Sequence, residues 1–272
     1  MPFIYIAIIV ILCLIVLYIL STCCRRSHSS LSALSEWSYA HRGLHGDGVP
    51  ENSLQAFQLA RDAGYGSELD VHLLADGNLA IMHDSLLKRT TGADGRIEEL
   101  TASQLSTYRL ENTSEKIPLL SEVLALYDGK APLIVELKPV GNNTPILCQK
   151  VCELLDQYRG VYCVESFDPR CTYWFRKHRP DIIRGQLTED FFKSPSSTLP
   201  SVIKFIMKHQ ITNFLTFPDF IAYRYSDRKT ISNSLCRKLW GAVGVSWTLV
   251  SKEEYDVAVS EGWIPIFEGF RP

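Results

Sequence analysis

The chain has 272 residues, a formal net charge of -2 and 21% charged side chains, so it offers no broad basic surface for neutralising a nucleic-acid backbone. A composition that is 46% hydrophobic and 11% aromatic excludes disorder over most of its length. The length suits one large domain, and a closed barrel of alternating strands and helices takes ~250 residues.

Residues 3–20 carry no charge and predict a helix of ~27 Å, close to the ~30 Å hydrocarbon core of a bilayer. This reads as a membrane span, because a cleaved signal peptide would want a basic region that Met1-Pro2 does not supply. Leu20-Ser21-Thr22-Cys23 resembles a lipoprotein processing site only faintly. Arg25 and Arg26 follow the span and no Lys or Arg precedes it, which predicts a body on the cytoplasmic side. Cys23 and Cys24 are candidates for acylation at the membrane edge. The other five cysteines outside the span, Cys148, Cys152, Cys163, Cys171 and Cys236, have no paired spacing and predict reduced thiols. The expected division is an anchor over 1–24, a serine-rich polar linker over 25–36 and a barrel domain over 37–272.

In the body, the first expected strand, Trp37-Ser38-Tyr39-Ala40, ends in His41-Arg42-Gly43, and a glycine-rich loop leads to a helix capped by Asn52 or Ser53. Tyr65-Gly66-Ser67-Glu68-Leu69-Asp70-Val71-His72 reads as the second strand, with Glu68 and Asp70 on one face and Leu69 and Val71 on the other. After an Asp76-Gly77 turn, Leu79-Ala80-Ile81-Met82 reads as a third strand delivering His83 and Asp84. Residues 84–120 are too long for a simple connection. Helix is predicted over 121–127, strand over 132–138 with Glu136 and Lys138 sharing a face, then helix and strand alternate, with strands near 161–166, 182–187, 214–217 and 243–249. Strands beginning at 38, 66, 79, 132, 161, 182, 214 and 243 number eight, the pattern of a TIM (β/α)8 barrel, here with a small insertion after the third strand and the apolar helix in front.

In such a barrel the strand endings meet at one rim. Glu68, Asp70 and Glu136 would give it an all-oxygen set suited to a divalent cation, Mg²⁺ or Ca²⁺. An imidazole ordinarily titrates near neutrality, so His41 and His83 suit a base and an acid. Arg42 and Lys138 supply positive charge for a phosphodiester.

His41-Arg42-Gly43, Pro50-Glu51-Asn52-Ser53 with Ala56-Phe57, Glu68-Leu69-Asp70-Val71, Asp76-Gly77, His83-Asp84 with Leu87, Arg89-Thr90-Thr91 and Glu136-Leu137-Lys138 together resemble the glycerophosphodiester phosphodiesterase family, in a membrane-anchored bacterial form. The resemblance spans roughly 38–270. It implies a metal-dependent hydrolase yielding glycerol 3-phosphate and an alcohol, with His41 and His83 as acid and base, and a small-molecule or lysolipid substrate. A lysophospholipase D-type activity and a phosphoryl-ligand binding protein without turnover are the rival readings. The resemblance also implies a supporting role for Glu51 and substrate walls at Trp247 and Phe167, and it makes 84–120 an insertion over the barrel mouth. Many members end in a Thr-Asp-x-Pro type sequence where this chain has Phe267-Glu268-Gly269-Phe270-Arg271-Pro272, so Glu268 stands where an aspartate is usual. His45 and His72 match no family position.

Overall fold

The computed structural model describes residues 2–25, 28, 31–194 and 197–272; Arg26 of the basic flank and Ser27, Ser29 and Ser30 of the expected linker lie outside the described residues. The strands are β1 (Tyr39–Ala40), β2 (Gly66–Leu73), β3 (Leu79–Ile81), β4 (Leu133–Leu137), β5 (Tyr162–Ser166), β6 (Arg184–Thr188), β7 (Phe220–Arg224), β8 (Val243–Leu249) and β9 (Trp263–Phe267). They form one sheet in which β1 pairs with both β2 and β9, closing the ring. Every pairing is parallel except that of β2 with β3, so β3 is an extra strand outside an eight-stranded barrel.

The helices are α1 (Pro2–Ser21), α2 (Ser32–Ser35), α3 (Leu54–Asp62), α4 (Lys88–Thr91), α5 (Ala102–Leu105), α6 (Leu120–Tyr127), α7 (Thr144–Leu155), α8 (Pro169–His178), α9 (Ser201–Lys208), α10 (Asn213–Thr216), α11 (Ile231–Ser234), continued by a π-turn over Leu235–Leu239, and α12 (Lys252–Ser260). Ser53, Asp168 and Ser251 cap α3, α8 and α12 by accepting from the backbone N–H groups of Ala56, Arg170 and Glu254.

Three strand expectations change. The 79–82 run is not a barrel strand, because the short link from Leu73 to Leu79 permits only an antiparallel return, a parallel crossover needing a dozen residues or more. Phe214–Thr216 belongs to α10, and the strand lies further on at Phe220–Arg224. The eighth barrel strand is β9, so Trp247 stands on the seventh barrel strand rather than the last.

Alternation along the strands divides the core. Leu69, Val71, Leu133, Val135 and Val164 face outward and pack with Phe57 of α3, Val123 of α6, Val151 of α7 and Phe175 of α8. Tyr39, Ile134, Cys163, Ile183, Phe220, Val245, Ile264 and Ile266 fill the barrel from inside. Gly66 has no Cβ because one would stand 2.7 Å from the Tyr39 ring. Leu34 of α2 closes this layer from below with Tyr39 Oη donating to its carbonyl at 2.9 Å, so part of the expected polar linker is barrel core.

Helix α1 is long and apolar enough to cross a membrane, and Phe3–Leu17 are exposed. Its C-terminal end is seated on the barrel: Trp240 Nε1 donates to Ile19 O at 3.3 Å and Arg25 pairs with Asp219, Nη2 to Oδ2 at 2.6 Å. Cys24 is buried against Asn213 and Cys236, which removes it as an acylation candidate; Cys23 is partly exposed. All eight cysteines are free.

Candidate active site

At the C-terminal rim the inward side chains become polar. β2 presents Glu68 and Asp70, and the parallel pairing of β2 with β4 sets Asp70 level with Glu136. All three are buried, and each offers a carboxylate oxygen within 4.8 Å of the others. Glu165, level with Glu136 on β5, adds a fourth buried carboxylate that the sequence reading passed over. Its signal was there, a Glu closing the apolar run Tyr162-Cys163-Val164 as Glu136 closes its own.

Lys138 reaches into this group, with Nζ 3.0 Å from Asp70 Oδ1 and 2.6 Å from Glu136 Oε1. Burial disfavours the charged form of every carboxylate here. For Asp70 that is outweighed by Lys138, His83 and Arg42, which hold its carboxyl well below the ordinary range. Glu68 goes the other way, raised by burial and by Asp70 and Glu136, and Glu136 is pushed up to about 7 by burial. Glu165 is raised by burial and by Glu136. Glu68 Oε1 and Glu165 Oε2 are buried without a hydrogen-bond partner. A cluster that cannot ionise fully and leaves oxygens unpaired is a site deficient in positive charge.

Arg42 sits in the left-handed region at φ 54, with its N–H donating to Glu68 Oε2 at 3.1 Å. Asn52, at φ 53, donates its N–H to Arg42 O at 2.9 Å and its Nδ2 to Asp70 Oδ2 at 2.8 Å. Two unfavourable backbone conformations thus brace each other and the cluster, as strain stored at functional sites does. The Asn52 contact was not foreseen, since its role was expected at the helix cap, which Ser53 fills. Glu51 accepts from Arg42 Nη1 at 3.0 Å and from Arg89 at 2.9 and 2.6 Å. It therefore fixes the Arg42 fork.

Each expected histidine is tied through Nδ1 to a carboxylate. His41 Nδ1 lies 2.5 Å from Glu268 Oε2, and its Nε2 is 3.9 Å from Glu68; His83 Nδ1 lies 2.6 Å from Asp84 Oδ1. Burial lowers the pKa of both rings, more than their carboxylates restore. The His41 hydrogen bond in turn holds Glu268 down at about 2. Glu268, which stands where an aspartate is usual in the family, is thus part of the site, one step beyond β9 and against His41. His83 does not end a barrel strand; it reaches the rim because Met82 N donates to Asp70 O at 3.0 Å. His72 is buried beneath it, joining Glu98 at 2.8 Å to the His83 carbonyl at 3.2 Å, and His45 lies 3.6 Å from Glu268.

Phe167 and Trp247 meet edge to face with centroids 5.5 Å apart, and Phe191 extends this wall at 6.0 Å from Phe167. Lys138 Nζ stands 6.0 Å from the Phe167 centroid, so the wall borders the charged cluster.

A family model for the glycerophosphoryl diester phosphodiesterase family matches residues 41–199. Glycerophosphodiester phosphodiesterase 1 of Bos taurus is 43% identical over 250 residues, covering 79% of this chain and 72% of that protein. Lysophospholipase D GDPD1 of Rattus norvegicus is 35% identical over 133 residues, 44% of this chain and 41% of that one. An Oleispira antarctica phosphodiesterase, solved in complex with its product sn-glycerol-3-phosphate, superimposes with a TM-score of 0.69 at 24% identity over 85% of this chain and 92% of that one, which shows the shared fold. The family motifs, the barrel and these matches agree, and the chain belongs to the glycerophosphodiester phosphodiesterase family, whose members are phosphoric diester hydrolases.

Proposed function

We propose that the chain hydrolyses glycerophosphodiesters to glycerol 3-phosphate and an alcohol, with Glu68, Asp70 and Glu136 as the holders of a divalent cation. The observation that carries this reading is the buried carboxylate cluster with unpaired oxygens on Glu68 and Glu165. An all-oxygen donor set fits Mg²⁺ or Ca²⁺ rather than a softer metal. When bound, such a cation supplies Lewis-acid stabilisation of charge on the phosphoryl oxygens.

The chain's own residues do the rest. Arg42, braced by Glu51, and Lys138 draw the phosphodiester to the rim and stabilise the added negative charge of the transition state. His41 and His83 share one proton itinerary: one ring takes the proton of the nucleophile, the other delivers a proton to the leaving alkoxide. Glu268 and Asp84 hold Nδ1 of each ring, which leaves Nε2 for the proton transfer. Phe167 and Trp247, with Phe191, form the wall against which the alcohol moiety rests.

The exposed length of α1, Phe3–Leu17, is an uncleaved single-pass anchor, joined to the barrel by the packed stretch from Tyr18 to Arg25, and the body lies on the cytoplasmic side. The unpaired cysteines and Arg25 with Arg26 after the span support that side. Glycosylation of the sequons at Asn112 or Asn142, or digestion of the body by protease added to intact cells, would reverse it. A lysophospholipase D-type activity is the second reading, favoured by the aromatic wall beside Lys138. Comparing kcat/KM for a deacylated glycerophosphodiester and its acyl-bearing counterpart tests the two. The deacylated substrate is expected to be preferred, and turnover of neither would sink the proposed hydrolysis.

A further inference from the structure

The direction in which α1 leaves the barrel can be read from its contacts. Tyr18 Oη lies 3.5 Å from His209 Nδ1, just after α9. The end of α9 stands at the height of the catalytic rim: Thr188, the last residue of β6, donates to Met207 O at 2.9 Å, Tyr223 Oη donates to Lys208 O at 3.2 Å, and Lys208 Nζ pairs with Asp190 at 2.8 Å. Arg25, further along, pairs with Asp219, just ahead of β7, and donates to Pro180 O, just ahead of β6, at 2.6 Å. Between Tyr18 and Arg25 the chain therefore descends from the C-terminal ends of the strands to their N-terminal ends. Followed backwards from Tyr18, α1 leaves on the side of the rim and continues for about 24 Å at ~1.5 Å per residue.

The end of α9 lies on that same side, and α9 with the described residues ahead of it exposes an unusual set of apolar side chains. Phe192 is 52% exposed, Leu199 39%, Val202 69%, Ile203 41% and Phe205 50%. Their exposure is that of the chain with α1 in place. Helix α9 carries Lys204 and Lys208 and no acidic residue, a composition suited to the headgroup boundary of a bilayer. Exposed apolar groups gathered beside a membrane helix have an occupant at hand in the lipid around that helix.

We propose that α9, with Phe192 and Leu199 ahead of it, is a second membrane contact lying in the interface of the bilayer that α1 spans, so that the catalytic rim faces the lipid. This rests on the reading of α1 as a span. Phe214 and Leu215 of α10 are equally exposed, at 47% and 45%, but sit toward the base beside Phe217, whose carbonyl accepts from Arg184 at the start of β6. They serve as an internal control.

The test uses the full chain in phosphatidylcholine vesicles containing a lipid with a photoactivatable diazirine at the headgroup boundary, with labelled peptides mapped by mass spectrometry. Label is expected in α1 and in 191–208, and not in 213–217 or 144–155. In the V202D/F205D variant, label in 199–208 should fall to the level of 144–155, while hydrolysis of a soluble nitrophenyl phosphodiester stays unchanged. Label in α1 without 191–208 would overturn the second contact and leave the span standing. An unlabelled α1 would remove the span and the inference together. Label in 213–217 instead would put the base against the lipid, and crosslinks between 199–208 of two copies would assign the strip to self-association; either result overturns the proposal.

Discussion

On four barrel strands the inward side chain changes character within one step of the pleat: Tyr39 gives way to His41, Ile134 to Glu136, Cys163 to Glu165 and Ile266 to Glu268. The lower layer is apolar, closed by Leu34, whose carbonyl accepts from the Tyr39 hydroxyl. The upper layer gathers carboxylates that burial makes reluctant to ionise. The same strands thus carry one layer that holds the barrel together and one whose buried carboxylates work against it. Substitutions in the two layers should therefore separate activity from stability.

The largest effect belongs to the rim. His41→Ala and His83→Ala should each lower turnover by ~10²–10⁴-fold, the scale of general acid–base catalysis, with little change in unfolding temperature. A nitrophenyl phosphodiester, whose leaving group needs no proton, should rescue one of the two far more than the other. Equal rescue of both, or near-normal rates in either, would show that the rings only pack.

In the lower layer the order reverses. Ile134→Ala removes a buried side chain and should cost about 2–5 kcal/mol in denaturant unfolding, leaving turnover per folded molecule close to wild type. A smaller loss, ~1–3 kcal/mol, is expected for Gly66→Ala, whose new Cβ would meet the Tyr39 ring at 2.7 Å and the Pro132 carbonyl at 2.8 Å. An equal loss of activity in either variant would blur the division between layers.

The smallest effect is in the pH dependence of stability with chelator present. Glu136 has a folded pKa of about 7, above its ordinary 4.5, so the folded state binds the extra proton. Its ionisation then opposes folding, and stability should decline as pH rises through that window. Calorimetric scans should show a shallower slope in Glu136→Gln, with Glu68 and Glu165 supplying the remainder; an unchanged slope would place its origin elsewhere.

Much of the upper layer was legible because a carboxylate or histidine closing an apolar run is conspicuous, as at His41, Glu68, Asp70 and Glu136. What was hidden depended on which run is a barrel strand. Phe214-Leu215-Thr216-Phe217 is short and apolar, and periodicity cannot tell such a run from a helical turn; the left-handed Phe217 at φ 42 ends it. In β9, Pro265 lacks the donor that a strand interior normally supplies, and it sits beside the irregular stretch of the β8–β9 ladder, where that lack is tolerated. With β9 unseen, Glu268 had no strand to place it beside His41. Asn52 was obscured differently, since its contact with Asp70 joins a loop to a strand that no local pattern connects.

The central claim, that the upper layer is built around a divalent cation, is tested most directly by calorimetry and activity on the full chain in strong chelator, followed by addition of Mg²⁺ or Ca²⁺. The account predicts that chelation abolishes hydrolysis, and that the added cation restores it and raises the unfolding temperature of the wild type but not of a Glu68→Gln, Glu136→Gln variant. Full activity in chelator, or an equal thermal shift in that variant, would contradict it.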